Sequence, residues 1–162
     1  MTETPPEMRS WRARLVTRLI HGYFAFARGM TMGVRAACFD EQGRIFLVRH
    51  SYVPGWHMPG GGLERSETAF AALVKELREE GNLELTERPD LFHVYFNRLT
   101  SKRDHVLFYR CRNVRQITPK KPDFEIVETG FFAVDALPPE TTPATHRRLA
   151  ELAGQTPPAD VW

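Results

Sequence analysis

The chain has 162 residues, a formal net charge of +2, 42% hydrophobic and 26% charged residues, and two cysteines. This composition fits one domain with an added segment and a sizeable core, and it excludes a disulfide scaffold and a cysteine-ligated metal centre. No run of about eighteen apolar residues and no leader with a small-residue cleavage site occurs, so the cytoplasm is the expected compartment.

The charge is unevenly spread. Residues 1–35 hold six Arg and two Glu, which leaves the rest of the chain slightly acidic. A broad nucleic-acid surface is therefore not expected on the main body: DNA is not an expected partner and RNA is disfavoured. Residues 1–8 are polar, contain Pro5 and Pro6, and read as disordered. Residues 9–28 read as an amphipathic helix: Trp11, Leu15, Leu19 and Tyr23 recur every four residues, with Val16, Ile20 and Phe24 beside them and Arg12, Arg14, Arg18 and Arg28 framing the other side. Gly22 within it is unfavourable to an unbroken helix. Packing on the domain, a homodimer contact and a membrane-surface helix are all open readings of that face.

Strand signals follow. Gly33–Phe39 and Arg44–His50 flank the turn Asp40-Glu41-Gln42-Gly43 and predict a hairpin. A loop over residues 51–60 leads to a helix predicted from about Glu67 to Glu80, with Ser66 as N-cap. Strands are expected over Asp90–Arg98 and Asp104–Asn113, around a basic turn, and over Glu128–Val134. Pro138 and Pro139 stop the last of these, and Thr142–Ala153 reads as a short helix before a flexible tail. The two cysteines, Cys38 and Cys111, fall in strand-like runs and are expected buried and reduced. The domain plan is an N-terminal extension over 1–30, a main domain over 31–154 and a tail over 155–162. The mixture of hairpins and helices indicates an α+β sandwich.

The chemistry concentrates between Gly61 and Leu83. Glu76, Glu79 and Glu80 are three and four residues apart, so a helix puts all three on one face. They also crowd the helix end where the dipole is negative and acids are unfavourable. A divalent cation relieves that repulsion, because Mg2+ prefers carboxylate oxygens and leaves room for substrate phosphates. The run Gly60-Gly61-Gly62 just before the helix lets the backbone approach a ligand, and N–H groups at such a turn suit phosphate oxygens.

These residues resemble the Nudix hydrolase family, MutT-like in type, whose pattern is G-x5-E-x7-R-E-U-x-E-E-x-G-U with U aliphatic. Gly61, Glu67, Glu76, Leu77, Glu79, Glu80 and Leu83 match seven of its nine defined positions. Trp56-His57-Met58-Pro59-Gly60-Gly61 resembles the entry to the loop, and Phe131-Phe132 with Asp135-Ala136-Leu137-Pro138 the final strand and turn. Lys75 replaces the family's Arg, keeping the charge but losing the planar fork. Asn82 replaces its second Gly; either Asn82 takes a left-handed conformation there or Gly81 does and the loop shifts by one.

The resemblance implies a Nudix-like α/β/α sandwich with a mixed sheet, carrying the extra N-terminal helix. It implies hydrolysis of a diphosphate bond in a nucleoside diphosphate linked to another moiety, with Mg2+ (or Mn2+ in its place) as cofactor. Glu76 and Glu80 would be the main metal ligands, Glu79 a further ligand or the group that orients water, Glu67 an accessory ligand, the Gly61 carbonyl a completing one, and Lys75 a cation that steadies the carboxylates. Glu125 and Glu128 are candidate bases by position. Arg49, Tyr52, Trp56, Arg110 and Glu128 are candidates for substrate contact, although half-buried aromatics and paired surface charges serve structure equally well. The histidines at 50, 57, 93 and 105 lack metal spacing, and most of them read as structural. A nucleotide-binding module with little catalysis and a 5′-end RNA pyrophosphohydrolase are the competing readings.

Overall fold

The structure is a computed structural model that describes residues 19–20, 22–23 and 29–162. Most of the amphipathic helix expected over 9–28 lies outside the described residues; positions 19–20 and 22–23 are helical, with Leu19, Ile20 and Tyr23 exposed.

From Thr31 onward the chain builds β1 (Thr31–Cys38), β2 (Ile45–His50), β3 (Trp56–His57), α1 (Ala69–Gly81), β4 (Leu83–Glu84), β5 (Asp90–Phe96), β6 (Asp104–Cys111), β7 (Arg115–Gln116), β8 (Ile126–Phe132) and α2 (Pro143–Leu152). β6 lies between β1 and β5, parallel to the first and antiparallel to the second, so this sheet is mixed. β2 lies between β3 and β8 in a separate antiparallel sheet, and β4 pairs with β7. The class is α+β, as expected.

Period-two alternation sorts the strand residues into two cores. Val34, Ala36 and Cys38 of β1, Phe46 and Val48 of β2, and Leu107, Tyr109 and Cys111 of β6 pack with Ala72, Leu73 and Leu77 of α1. The intervening Ala37, Ile45, Leu47 and Phe108 pack with Trp56, Met58, Tyr95 and Leu149 of α2. Each strand is thus buried on both faces, which explains why β1 and β2 read as apolar runs. Cys38 and Cys111 are register partners across β1 and β6, both buried and unoxidised.

Three local expectations are corrected. The predicted hairpin of β1 and β2 keeps its turn, with Asp40 accepting the N–H groups of Gln42 and Arg44. Its strands nevertheless part into different sheets after a single bridge from Phe39 to Ile45, because β1 pairs along its length with β6. α1 starts two residues later than predicted: Thr68 is the N-cap and accepts from the Ala71 N–H, while Ser66 takes φ 63° in the preceding turn. The tail is docked. Phe96 donates its N–H to the Asp160 carbonyl and accepts that of Trp162. The Trp162 ring lies 5.4 Å from that of Tyr95 and 5.6 Å from that of Phe108.

The end of α1 settles the open choice at residues 81 and 82. Asn82 adopts the left-handed conformation (φ 51°, ψ 35°) and its side-chain amide donates to Thr118. Gly81 remains the last helical residue, pressed against the Phe46 ring, where a β-carbon would collide.

Candidate active site

Strand pairing brings the Gly loop against α1. Val34 donates its N–H to the Gly61 carbonyl and Ala36 donates to the Pro59 carbonyl, so the loop runs as an extra edge along β1. Gly60 has φ 141°, and a β-carbon there would strike the Val34 backbone. A β-carbon on Gly61 would strike the Glu76 carboxylate. The glycines therefore let the loop close down on the helix. Gly60 donates its N–H to Glu80 Oε2 at 2.7 Å.

Glu76 and Glu80 line one cavity of about 650 Å3, together with Arg35, Tyr52, the glycines at 60–62 and Glu125. Its far end is polar: Asp104 accepts from Thr31 Oγ1 and from the Asn97 amide, and Thr100 stands beside them. A second cavity, about 610 Å3, lies over Phe70, Val74, Leu77 and Ile117 and gathers no carboxylate cluster.

The electrostatics of that first cavity are unusual. Glu80 is 5% exposed. Burial pushes its carboxyl up to about 7, against the pull of Arg35 and the Gly60 N–H. Burial likewise raises Glu76. Among the described residues Arg35 is the one cation on this wall, and its Nη1 donates to the Met58 carbonyl at 2.9 Å. His50 closes β2 and is buried; burial, then Arg35 and His57, lower its imidazole to about 4, so it is neutral at neutral pH. Its Nε2 lies 3.5 Å from Glu80 Oε1, too far for a good hydrogen bond, and neither ring nitrogen has a partner. Donor atoms of His50, Glu80 and Glu125 all fall within 4.8 Å of one another. A buried carboxylate, a neutral imidazole with a free lone pair and a second carboxylate form a donor set that a divalent cation satisfies.

The other predicted residues are placed as follows. Glu79 is exposed and stands outside the cavity wall. Glu67 precedes α1 instead of opening it; it accepts from the Glu64 N–H and pairs with Lys75 Nζ at 3.2 Å. Lys75 also reaches Glu64 at 3.2 Å, so it braces the turn before the helix. The Gly61 carbonyl already accepts from Val34. Tyr52 is exposed at the rim and donates to Glu125. Trp56, 5% exposed and edge-on to Phe132, belongs to the core and offers no face to a base. Arg49 pairs with Glu128 at 3.2 Å, and neither lines this cavity. Arg110 pairs with its register partner Asp90 across β5 and β6, and neither lines this cavity.

Sequence reasoning singled out neither Arg35 nor His50. Both carried a usable signal: each is an ionisable residue inside an apolar strand run, TMGVRAAC and IFLVRH. What periodicity could not supply is that the bulge between Arg49 and His50 sets His50 opposite Ile126, next to Glu125.

The sequence profile of the NUDIX domain matches residues 29–153. Among solved structures, a MutT NUDIX hydrolase from Burkholderia pseudomallei is 26% identical over 75% of this chain and 97% of its own, with a TM-score of 0.64. An ADP-ribose pyrophosphatase from Streptococcus suis is 26% identical over 81% of this chain and 96% of its own, with a TM-score of 0.56. An RNA pyrophosphohydrolase from Methylococcus capsulatus is 34% identical over 58 residues, which is 36% of this chain and 30% of that protein. The chain thus spans only about a third of the length of such curated relatives.

Proposed function

The chain belongs to the NUDIX domain family, and from that premise we propose that it is a pyrophosphohydrolase, cleaving a diphosphate bond in a nucleoside diphosphate linked to another moiety. Members of this family act on small nucleotide derivatives and generally use a divalent metal. The observation that carries the reading is the buried Glu80 beside Glu76, on a cavity wall closed by a glycine loop.

In this reading Glu76 and Glu80 hold the cation, with Mg2+ the expected ion and Mn2+ a substitute. The under-satisfied, raised carboxyl of Glu80 fits that task, since a cation removes the cost of ionising it in a dry site. When bound, the ion supplies charge neutralisation on the phosphates and a more acidic water. Arg35 spends one donor on Met58 and keeps its others for a phosphate oxygen. The Gly60–Gly62 backbone leaves space for the diphosphate to approach α1. Lys75 acts at one remove, holding Glu67 and Glu64 so that the turn before the helix stays fixed. The polar end around Asp104, Asn97 and Thr100 would take the sugar or base.

No helix among the described residues is long and apolar enough to cross a membrane. A cytoplasmic location is proposed with the function. A membrane-surface or dimer role for the N-terminal segment remains a proposal, tested by liposome co-sedimentation and by the mass of the protein in solution.

The test is a panel of nucleotide sugars, ADP-ribose, dinucleoside polyphosphates, nucleoside triphosphates and 5′-triphosphorylated RNA, each with Mg2+ or Mn2+. Turnover of a small nucleotide is expected; tight binding without turnover would instead support a nucleotide-binding module. RNA pyrophosphohydrolases among the partial relatives keep 5′-end RNA as a second reading. Turnover of RNA with a steep salt dependence would favour it.

A further inference from the structure

The geometry points to a mixed nitrogen–oxygen metal site at His50, Glu80 and Glu125, selective for a transition-series divalent ion such as Mn2+ over Mg2+. The inference rests on the pyrophosphohydrolase reading only in sharing Glu80, and it concerns a cation position separate from the one that Glu76 and Glu80 offer to Mg2+. It differs in its donors: His50 lies on β2 and Glu125 precedes β8, both far from the glutamate helix in sequence.

Three observations support it. First, His50 is the one side chain among the described residues whose polar atoms are all buried and all without a hydrogen-bond partner. An unsatisfied buried polar atom is costly, so a histidine kept in the core for packing is normally given a carbonyl or hydroxyl. Even the half-buried His57 beside it has such a partner, with Nε2 3.0 Å from the Pro54 carbonyl. Second, the spacing suits a bound ion better than a hydrogen bond. Two donors at about 2.1 Å from one ion and at a right angle to each other stand about 3 Å apart. The gap from His50 Nε2 to Glu80 Oε1 is 3.5 Å, and all three donors lie within 4.8 Å. Third, the donors are pre-positioned. Ser51 donates its N–H to the Glu125 carbonyl at 2.9 Å, which pins the chain after His50 to the residue that bears the third ligand. Tyr52 holds the Glu125 carboxylate, and Gly60 holds that of Glu80.

The selectivity follows from the ligand type. Mg2+ favours all-oxygen octahedra and gains little from imidazole, whereas affinity for an imidazole-containing site rises along the first transition series. Glu80 and Glu125 line the cavity, so the remaining coordination positions open toward the space assigned to the diphosphate.

The experiment uses the full chain freed of metal with a chelator, and Mn2+ as the probe. Mn2+ is titrated by calorimetry with and without competing Mg2+, and the bound ion is examined by electron spin echo envelope modulation for nitrogen coupling. Mn2+ is expected to bind at least about tenfold more tightly than Mg2+ and to show imidazole nitrogen coupling. His50→Gln should remove the coupling and weaken Mn2+ by about tenfold or more, with a much smaller change for Mg2+. Glu125→Gln provides a second variant, and the coupling in the unaltered protein needs no variant to fold. Bound Mn2+ without nitrogen coupling, or equal affinities for the two ions, overturns the site. Nitrogen coupling without turnover of any substrate would instead sink the hydrolase reading and leave the metal site standing.

Discussion

Glu80 and Glu151 are the same residue in the same place, each next to last in its helix and each buried at 5–6% exposure. Their surroundings are opposite. Glu151 accepts from Arg148 Nη2 at 2.6 Å, from the Tyr95 hydroxyl at 2.6 Å and from the Ala159 N–H at 3.1 Å. Burial pushes its carboxyl up, yet these three donors together hold it below the ordinary value. Glu80 has the Gly60 N–H and an imidazole that donates nothing, and its carboxyl rises to about 7. A buried carboxylate placed for stability is given a cation and donors within the fold. One left under-satisfied at a cavity wall stores a cost that a ligand removes.

The comparison can be broken most severely at the satisfied end. Arg148→Ala leaves Glu151 buried without its cation and should cost about 3–5 kcal/mol in urea unfolding. A change under about 1 kcal/mol would show that the tail and Glu151 rearrange freely. At the other end, Glu80→Gln should lower kcat by about 100-fold or more, roughly 3 kcal/mol of barrier, while the metal-free protein keeps its melting temperature or gains. Activity within about tenfold of the parent would remove Glu80 from the site.

The pH dependence sharpens the contrast. Glu80 is raised from 4.5 unfolded to about 7 folded, so the fold prefers its protonated form. Its contribution is fully present below pH 4.5 and is lost as pH rises through 7, by as much as about 3 kcal/mol. Glu151 is lowered, so its contribution is present above pH 4.5 and is lost as pH falls. Without metal, Glu80→Gln should flatten the decline in melting temperature between pH 5 and 8. A saturating divalent ion should restore stability at pH 8, by about 3 kcal/mol at a hundred times its dissociation constant. An identical pH profile in parent and variant would contradict the raised carboxyl. The smallest effect is expected at Lys75. Because it braces Glu64 and Glu67 and does not touch Glu76 or Glu80, Lys75→Arg should change kcat by less than about tenfold; a larger change would mean that it reaches the cation site.

Local signals read well wherever the physics is local. The Glu helix, the β5–β6 hairpin and the Thr142-capped helix were legible because 3.6- and 2-residue periods, caps and turn residues act over a few positions. The start of α1 was misplaced because Ser66 and Thr68 both offer an N-cap, and only the brace from Lys75 to Glu64 and Glu67 accompanies the later one. Trp56 and Tyr52 were indistinguishable as aromatics in sequence, yet one is core and the other rim. The tail looked free because its anchors, Arg148, Phe96 and Tyr95, are remote in the chain.

By itself the sequence determined the chemistry: a Gly run and spaced glutamates specify a phosphate-friendly loop next to a cation-friendly helix, since loop and helix adjoin in the chain. Only the tertiary structure decided which carboxylates share a cavity, that Arg35 faces it while His50 is buried beside Glu80, and that Glu125 stands there while Glu128 does not. Those choices depend on β1 leaving β2 to pair with β6 and on a one-residue bulge between β2 and β8. Both are non-local, and a shift of one residue in a strand turns a side chain to the opposite face.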